Sequence, residues 1–123
     1  MINWLAFGSG ILAAFLLGFV IYGPFLGLQR RWAEGTRISP EPPASPPLGA
    51  MLAQIISLVL LALVIAITET TGALGVAVVA ILAVAAQAGS VGAWAQKSGF
   101  AIAVDVSYAL LCGVVMILAQ AIF

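Results

Sequence analysis

The chain contains no histidine and only one cysteine, Cys112. Without histidine, Ser/His and Cys/His nucleophile arrangements cannot form, and axial ligation of a haem or chlorophyll by imidazole is excluded. One cysteine rules out a disulfide within the chain, and no His/Cys/acid cluster has metal-ligand spacing. Charge is equally sparse: charged residues make up 7% of the chain, against about 25% in an ordinary soluble domain. Four Lys+Arg balance four Asp+Glu, which gives no basic footprint for nucleic acid. What dominates instead is apolar: 64% of the 123 residues are hydrophobic. Such a composition cannot cover a soluble surface with polar groups, and it is far from the low-hydrophobicity, high-charge signature of disorder. It describes an all-α integral membrane protein with one domain, residues 1–123, and no cofactor.

The few charges mark the spans. Residues 1–29, 42–68 and 70–96 carry no charged side chain, and 98–123 is interrupted only by Asp105. Each stretch exceeds the roughly 20 residues that a helix needs to cross the hydrocarbon core. The expectation is a bundle of four transmembrane helices at about 2–28, 49–68, 72–95 and 99–122. Helices satisfy their own backbone groups in lipid. Barrel strands would alternate in polarity, and runs such as Leu58–Ile65 do not. The first segment lacks the basic n-region of a cleaved signal and has too long an apolar run, so it is expected to be retained. Tyr22-Gly23-Pro24 is expected to kink or end the first helix, because Pro24 removes a backbone bond.

Basic residues orient the spans. Arg30, Arg31 and Arg37 follow helix 1 and Lys97 follows helix 3, whereas the loop after helix 2 holds only Glu69. With four spans, every basic residue falls on one side. The positive-inside rule makes that side cytoplasmic and places both termini outside. In the long connection, Gln29–Arg37 is expected to continue helix 1 or lie on the membrane surface, with Arg30, Arg31, Trp32 and Arg37 at the headgroups. The loop over 38–48 holds five prolines within positions 40–47, and it reads as an extended, stiff cytoplasmic tether ahead of the alternative, a docking strip for a partner.

Asp105 is the most informative residue. It lies about 12 Å along a helix from Lys97, and an ionisable side chain at membrane depth is a functional hypothesis by default. Asp105, Tyr108, Cys112 and Met116 share a helix face. Gln87, Ser90 and Trp94 of helix 3 have similar spacing. The expectation is that the two stripes face each other, with Gln87 or Ser90 donating to Asp105 or Tyr108. Asp105 has no second acid, histidine or lysine partner in this reading, so it serves better as interhelical glue than as a proton relay. Small residues give the packing faces: Gly10, Ala14 and Gly18 on helix 1, and Ala85, Gly89 and Ala93 on helix 3. Helix 3 also carries Gly72, Gly75, Ala77 and Ala80 and is expected at the centre of the bundle. Helix 2, rich in Leu and Ile with Gln54 and Ser57 near its loop end, is expected to face lipid.

Two stretches carry a resemblance. Met1-Ile2-Asn3-Trp4-Leu5-Ala6, followed by Gly18–Gly27 with its Tyr22-Gly23-Pro24 core and then Trp32, resembles a bacterial membrane family labelled domain of unknown function 1761. Its members typically open with an Asn-Trp pair and close helix 1 with Tyr-Gly/Ser-Pro. The segment from Asp105 through Tyr108 and Gly113 to Met116 is similar to that family's last helix. Ala109 departs from it where members often carry a histidine, and the proline-rich loop is unlike the usual connection. The resemblance implies four membrane helices, the cytoplasmic (inner) membrane of a bacterium, and no assigned activity.

With no catalytic constellation, the leading expectation is a non-catalytic accessory or structural subunit. Its partners would be membrane lipids and other membrane proteins or its own copies. The alternatives are a small proton- or ion-coupled transporter or channel using Asp105, and lipid or quinone binding with Arg30 and Arg31 holding a phosphate headgroup.

Overall fold

The computed structural model describes residues 1–41 and 45–123. Among them are five helices: α1 (Trp4–Tyr22), α2 (Gln29–Thr36), α3 (Leu48–Thr70), α4 (Leu74–Trp94) and α5 (Gly99–Ile122). All but α2 are long and apolar enough to cross a membrane. The middle of the proline-rich segment expected over 38–48 lies outside the described residues.

Local chemistry sets the helix ends. Asn3 caps α1 by accepting from the Ala6 amide at 3.1 Å, as Asn does at an N-cap. The helix stops at Tyr22, short of Leu28. Gly23 precedes a proline and is extended, with φ −86° and ψ −175°. The proline ring disfavours the helical region for the residue before it, so the span ends there and α2 forms as a separate helix. The α3–α4 turn is closed by Gly72 in the left-handed region (φ +65°) and by the Ala73 amide donating to the Thr68 carbonyl at 2.8 Å. Ser98 caps α5 by accepting from the Ala101 amide at 3.1 Å.

The hub is α5, which touches every other described helix. Helix α1 lies along one side of it and α4 along another, with α3 bridging between them. This corrects the expectation that the third span is central and the second faces lipid. Helix α4 touches only α3 and α5 and buries Ala77, Ile81, Ala85 and Gly92. Helix α3 buries Leu58, Leu61, Ala62, Ile65, Ala66 and Thr68. Small residues permit close approach but do not summon a neighbour. The larger side chains of α3 fill the space between α1, α4 and α5.

Chain order places both termini and the 71–73 turn at one end of the bundle. At the other end sit α2 and the 95–98 link, joined by the Ser98 amide donating to the Gly35 carbonyl at 3.0 Å and by Arg37 Nη2 donating to the Ala95 carbonyl. Gly35 is required here, because a Cβ would run into the Ser98 side chain. All the basic residues, Arg30, Arg31, Arg37 and Lys97, therefore share the α2 end.

Candidate functional site

The polar chemistry of the bundle converges on Asp105, in the second turn of α5. Three donors reach its carboxylate. The Tyr22 hydroxyl, at the end of α1, donates to Oδ1 at 2.6 Å. The Trp32 indole N–H, from α2, donates to the same oxygen at 2.9 Å. Lys97 Nζ, from the link before α5, meets Oδ2 at 2.8 Å. Side-chain exposure is 15% for Asp105 and 21% for Lys97, so the pair is largely shielded. Charge-assisted bonds in such a setting are stronger than neutral ones. The rings reinforce the geometry. Tyr22 packs edge-on to Trp32 at 4.8 Å and to Tyr108 at 5.3 Å between centroids.

A second polar knot lies one turn further along α5. Gln54 Nε2 of α3 donates to the Tyr108 oxygen at 2.7 Å, and the Tyr108 hydroxyl donates to the Ala14 carbonyl of α1 at 3.1 Å. The two knots tie α1, α2, α3 and the 95–98 link to α5. Two recesses flank the Tyr108–Gln54 bond. One, of about 530 Å³, is walled by aromatics such as Phe15, Phe19 and Trp32. The other, of about 380 Å³, lies between α3, α4 and α5 and is edged by Lys97 and Asp105.

The site differs from the sequence reading in its donors. Asp105 and Tyr108 are brought close, but neither Gln87 nor Ser90 donates to them. Both are exposed on α4, Gln87 at the edge of the smaller recess. The partners come from α1, α2 and the link, because α1 and not α4 presents its polar end to this face of α5. Asp105 also has the lysine partner that the sequence reading denied it. Lys97 lies eight positions before Asp105, in the link ahead of α5, and its flexible stem carries Nζ to the carboxylate. That spacing was the available signal. Trp32, expected at the headgroups, turns inward instead.

The arginines stay at the α2 end. Arg30 pairs with Glu34 at 3.5 Å on an exposed face, Arg31 stacks 4.1 Å above the Phe100 ring, and Arg37 holds Ala95. The small residues sort by partner. Ala14 is fully buried, and Gly10 and Gly18 face Met116 and Tyr108 of α5. Ala85 is buried, and Gly89 faces Val106. Among the described residues, no three Cys, Asp or Glu side chains gather to hold a metal.

A family model described as "Protein of unknown function (DUF1761)" matches residues 5–120. No curated protein and no solved structure matches the chain.

Proposed function

The chain belongs to the DUF1761 family, and from that premise we propose that it is a non-catalytic integral membrane subunit that associates through the outer face of α4. One observation carries this reading. Ala83, Ala86, Ser90 and Ala93 recur at three- and four-residue spacing on α4, and all four are exposed. Small residues give lipid tails little to grip, but they let a second helix approach closely. The Asp105 cluster fits a structural role, since its donors are internal and it clamps the bundle's α2 end. The carrier reading began from a lone intramembrane acid, and the Lys97 ion pair weakens that starting point. Lipid recognition by Arg30 and Arg31 draws less support too, because one pairs with Glu34 and the other stacks on Phe100.

The experiment is disulfide trapping in native membranes. In a Cys112→Ala background, Ala86→Cys should give a covalent dimer on mild oxidation, or a mixed disulfide with one stoichiometric partner. Ala86→Leu should abolish co-purification of that species. A chain that stays monomeric and captures nothing under both conditions would end the proposal.

The basic end is proposed to face the cytoplasm of a bacterial cell, with both termini outside. Glu69→Cys should then react with an impermeant maleimide in intact cells, and Arg30→Cys should react only after lysis. The reverse pattern would invert the topology, and reaction of both from one side would dissolve it.

A further inference from the structure

The recess between α3 and α4 does more than leave space. Ser57 of α3 and Gln87 of α4 both border it, and among the described residues neither makes a hydrogen bond. Counting helical rise from Leu48 and from Trp94, Ser57 lies about 14 Å and Gln87 about 10 Å inside the span. Polar side chains at that depth need partners that lipid tails cannot offer. Lys97 Nζ, also at the edge, gives one bond to Asp105 and keeps further protons. The remaining walls, including Leu61, Val84 and Val91, are apolar. Apart from Lys97, the lining comes from spanning helices, so most of its wall lies at membrane depth.

We propose that this recess binds the uncharged, carbonyl-bearing head of a membrane amphiphile, received laterally between α3 and α4. Three points select that chemistry. Each free group can donate: the Lys97 ammonium, which is a donor only, the Ser57 hydroxyl and the Gln87 amide, so together they suit an acceptor such as an ester or quinone carbonyl. Lys97 and Asp105 cancel each other's charge, and no other ionised group lines the recess, so an anionic head would meet Asp105 as well as Lys97. The volume of about 380 Å³ lies in the range of small-molecule sites, about 300–1,000 Å³, with the tail left in the bilayer.

The test uses the full chain in dodecyl maltoside, a detergent without carbonyl groups, with 1,2-dioctanoylglycerol as the probe. Its melting temperature should rise by about 5 °C at saturating probe. The Ser57→Ala/Gln87→Leu variant should melt no lower than the wild type without probe, since neither side chain makes an internal bond, and should lose the rise. A wild type that shows no rise, or a variant that keeps it, would overturn the proposal. A larger rise with dioctanoyl phosphatidic acid would also overturn it, by pointing to a charged head. So would rapid labelling of Ser57→Cys, in a Cys112→Ala background, by a charged maleimide in lipid vesicles, because the recess would then be a water-filled vestibule. A quinone of the same chain length distinguishes the two carbonyl sources by which probe saturates at the lower concentration.

Discussion

Asp105→Leu is expected to destabilise the bundle by about 3 kcal/mol, because it strands the Lys97 ammonium in a shielded site. The full range for breaking a buried pair is about 3–5 kcal/mol. The lower end applies, since Lys97 is 21% exposed and sits where α5 begins. The same change leaves the Tyr22 hydroxyl and the Trp32 indole without their acceptor. Asp105→Asn keeps a carbonyl oxygen for those two donors, although it loses the charge and the oxygen that Lys97 holds, so its cost should be smaller. Lys97→Met should be milder still, because the carboxylate retains Tyr22 and Trp32. Reversible unfolding by sodium dodecyl sulfate in mixed micelles reads all three. The double variant Asp105→Leu/Lys97→Met is the decisive comparison. With both charges gone, it should be more stable than Asp105→Leu alone, with a coupling of at least ~1 kcal/mol. Strict additivity, or an Asp105→Leu variant as stable as the wild type, would mean that the ion pair contributes nothing to the fold.

The span count was legible because lipid imposes a blunt rule. Every backbone group must be paired, so uncharged runs longer than the core become helices. The arrangement of those helices was not legible in the same way. Leu58, Leu61 and Ile65 of α3 read as lipid-facing because lipid and a protein core are equally apolar. Only the fold shows that they fill the space beside α5. The small residues of α4 invited a central position for the opposite reason. Alanine and glycine are compatible with a neighbour, and on α4 they occur on both the covered and the uncovered faces.

The site was half visible. Asp105 and Tyr108 stood out as polar groups in an apolar run. Tyr22 and Trp32 did not, because aromatic residues near a span end read equally well as interface anchors. The resemblance offered a hint that spacing lacked. Among the residues that carry it, Asn3, Tyr22, Pro24, Trp32, Asp105 and Tyr108 each shape the fold. Asn3 caps α1, Pro24 ends it, and the other four build the polar knots.

Gly113→Ala is expected to cost about 2 kcal/mol, because the added methyl enters the contact between α4 and α5. A Cβ at this position would lie 2.5 Å from Cδ1, Cγ1 and Cγ2 of Ile81 at once. Ile81 is only 6% exposed, and its branched Cβ restricts it to one favoured rotamer in a helix. It cannot swing aside, so α4 and α5 must separate where they cross. Gly89→Ala is the internal control. Its Cβ would meet a single methyl, Val106 Cγ2, at 3.3 Å, which a small adjustment relieves. The better helix propensity of alanine, worth up to about 1 kcal/mol, should leave that variant near neutral. Gly75→Ala meets nothing within 4 Å and should be neutral or stabilising. Ile81→Ala alone should cost about 2–5 kcal/mol through the cavity it leaves. Combined with Gly113→Ala, the new methyl enters that cavity, and the pair should lose less than the sum of the singles. If Gly113→Ala unfolds like Gly89→Ala, α4 does not approach α5 as closely as the Ile81 contact requires. The outward presentation of Ala83, Ala86, Ser90 and Ala93, which depends on how α4 is turned against α5, would have to be drawn again.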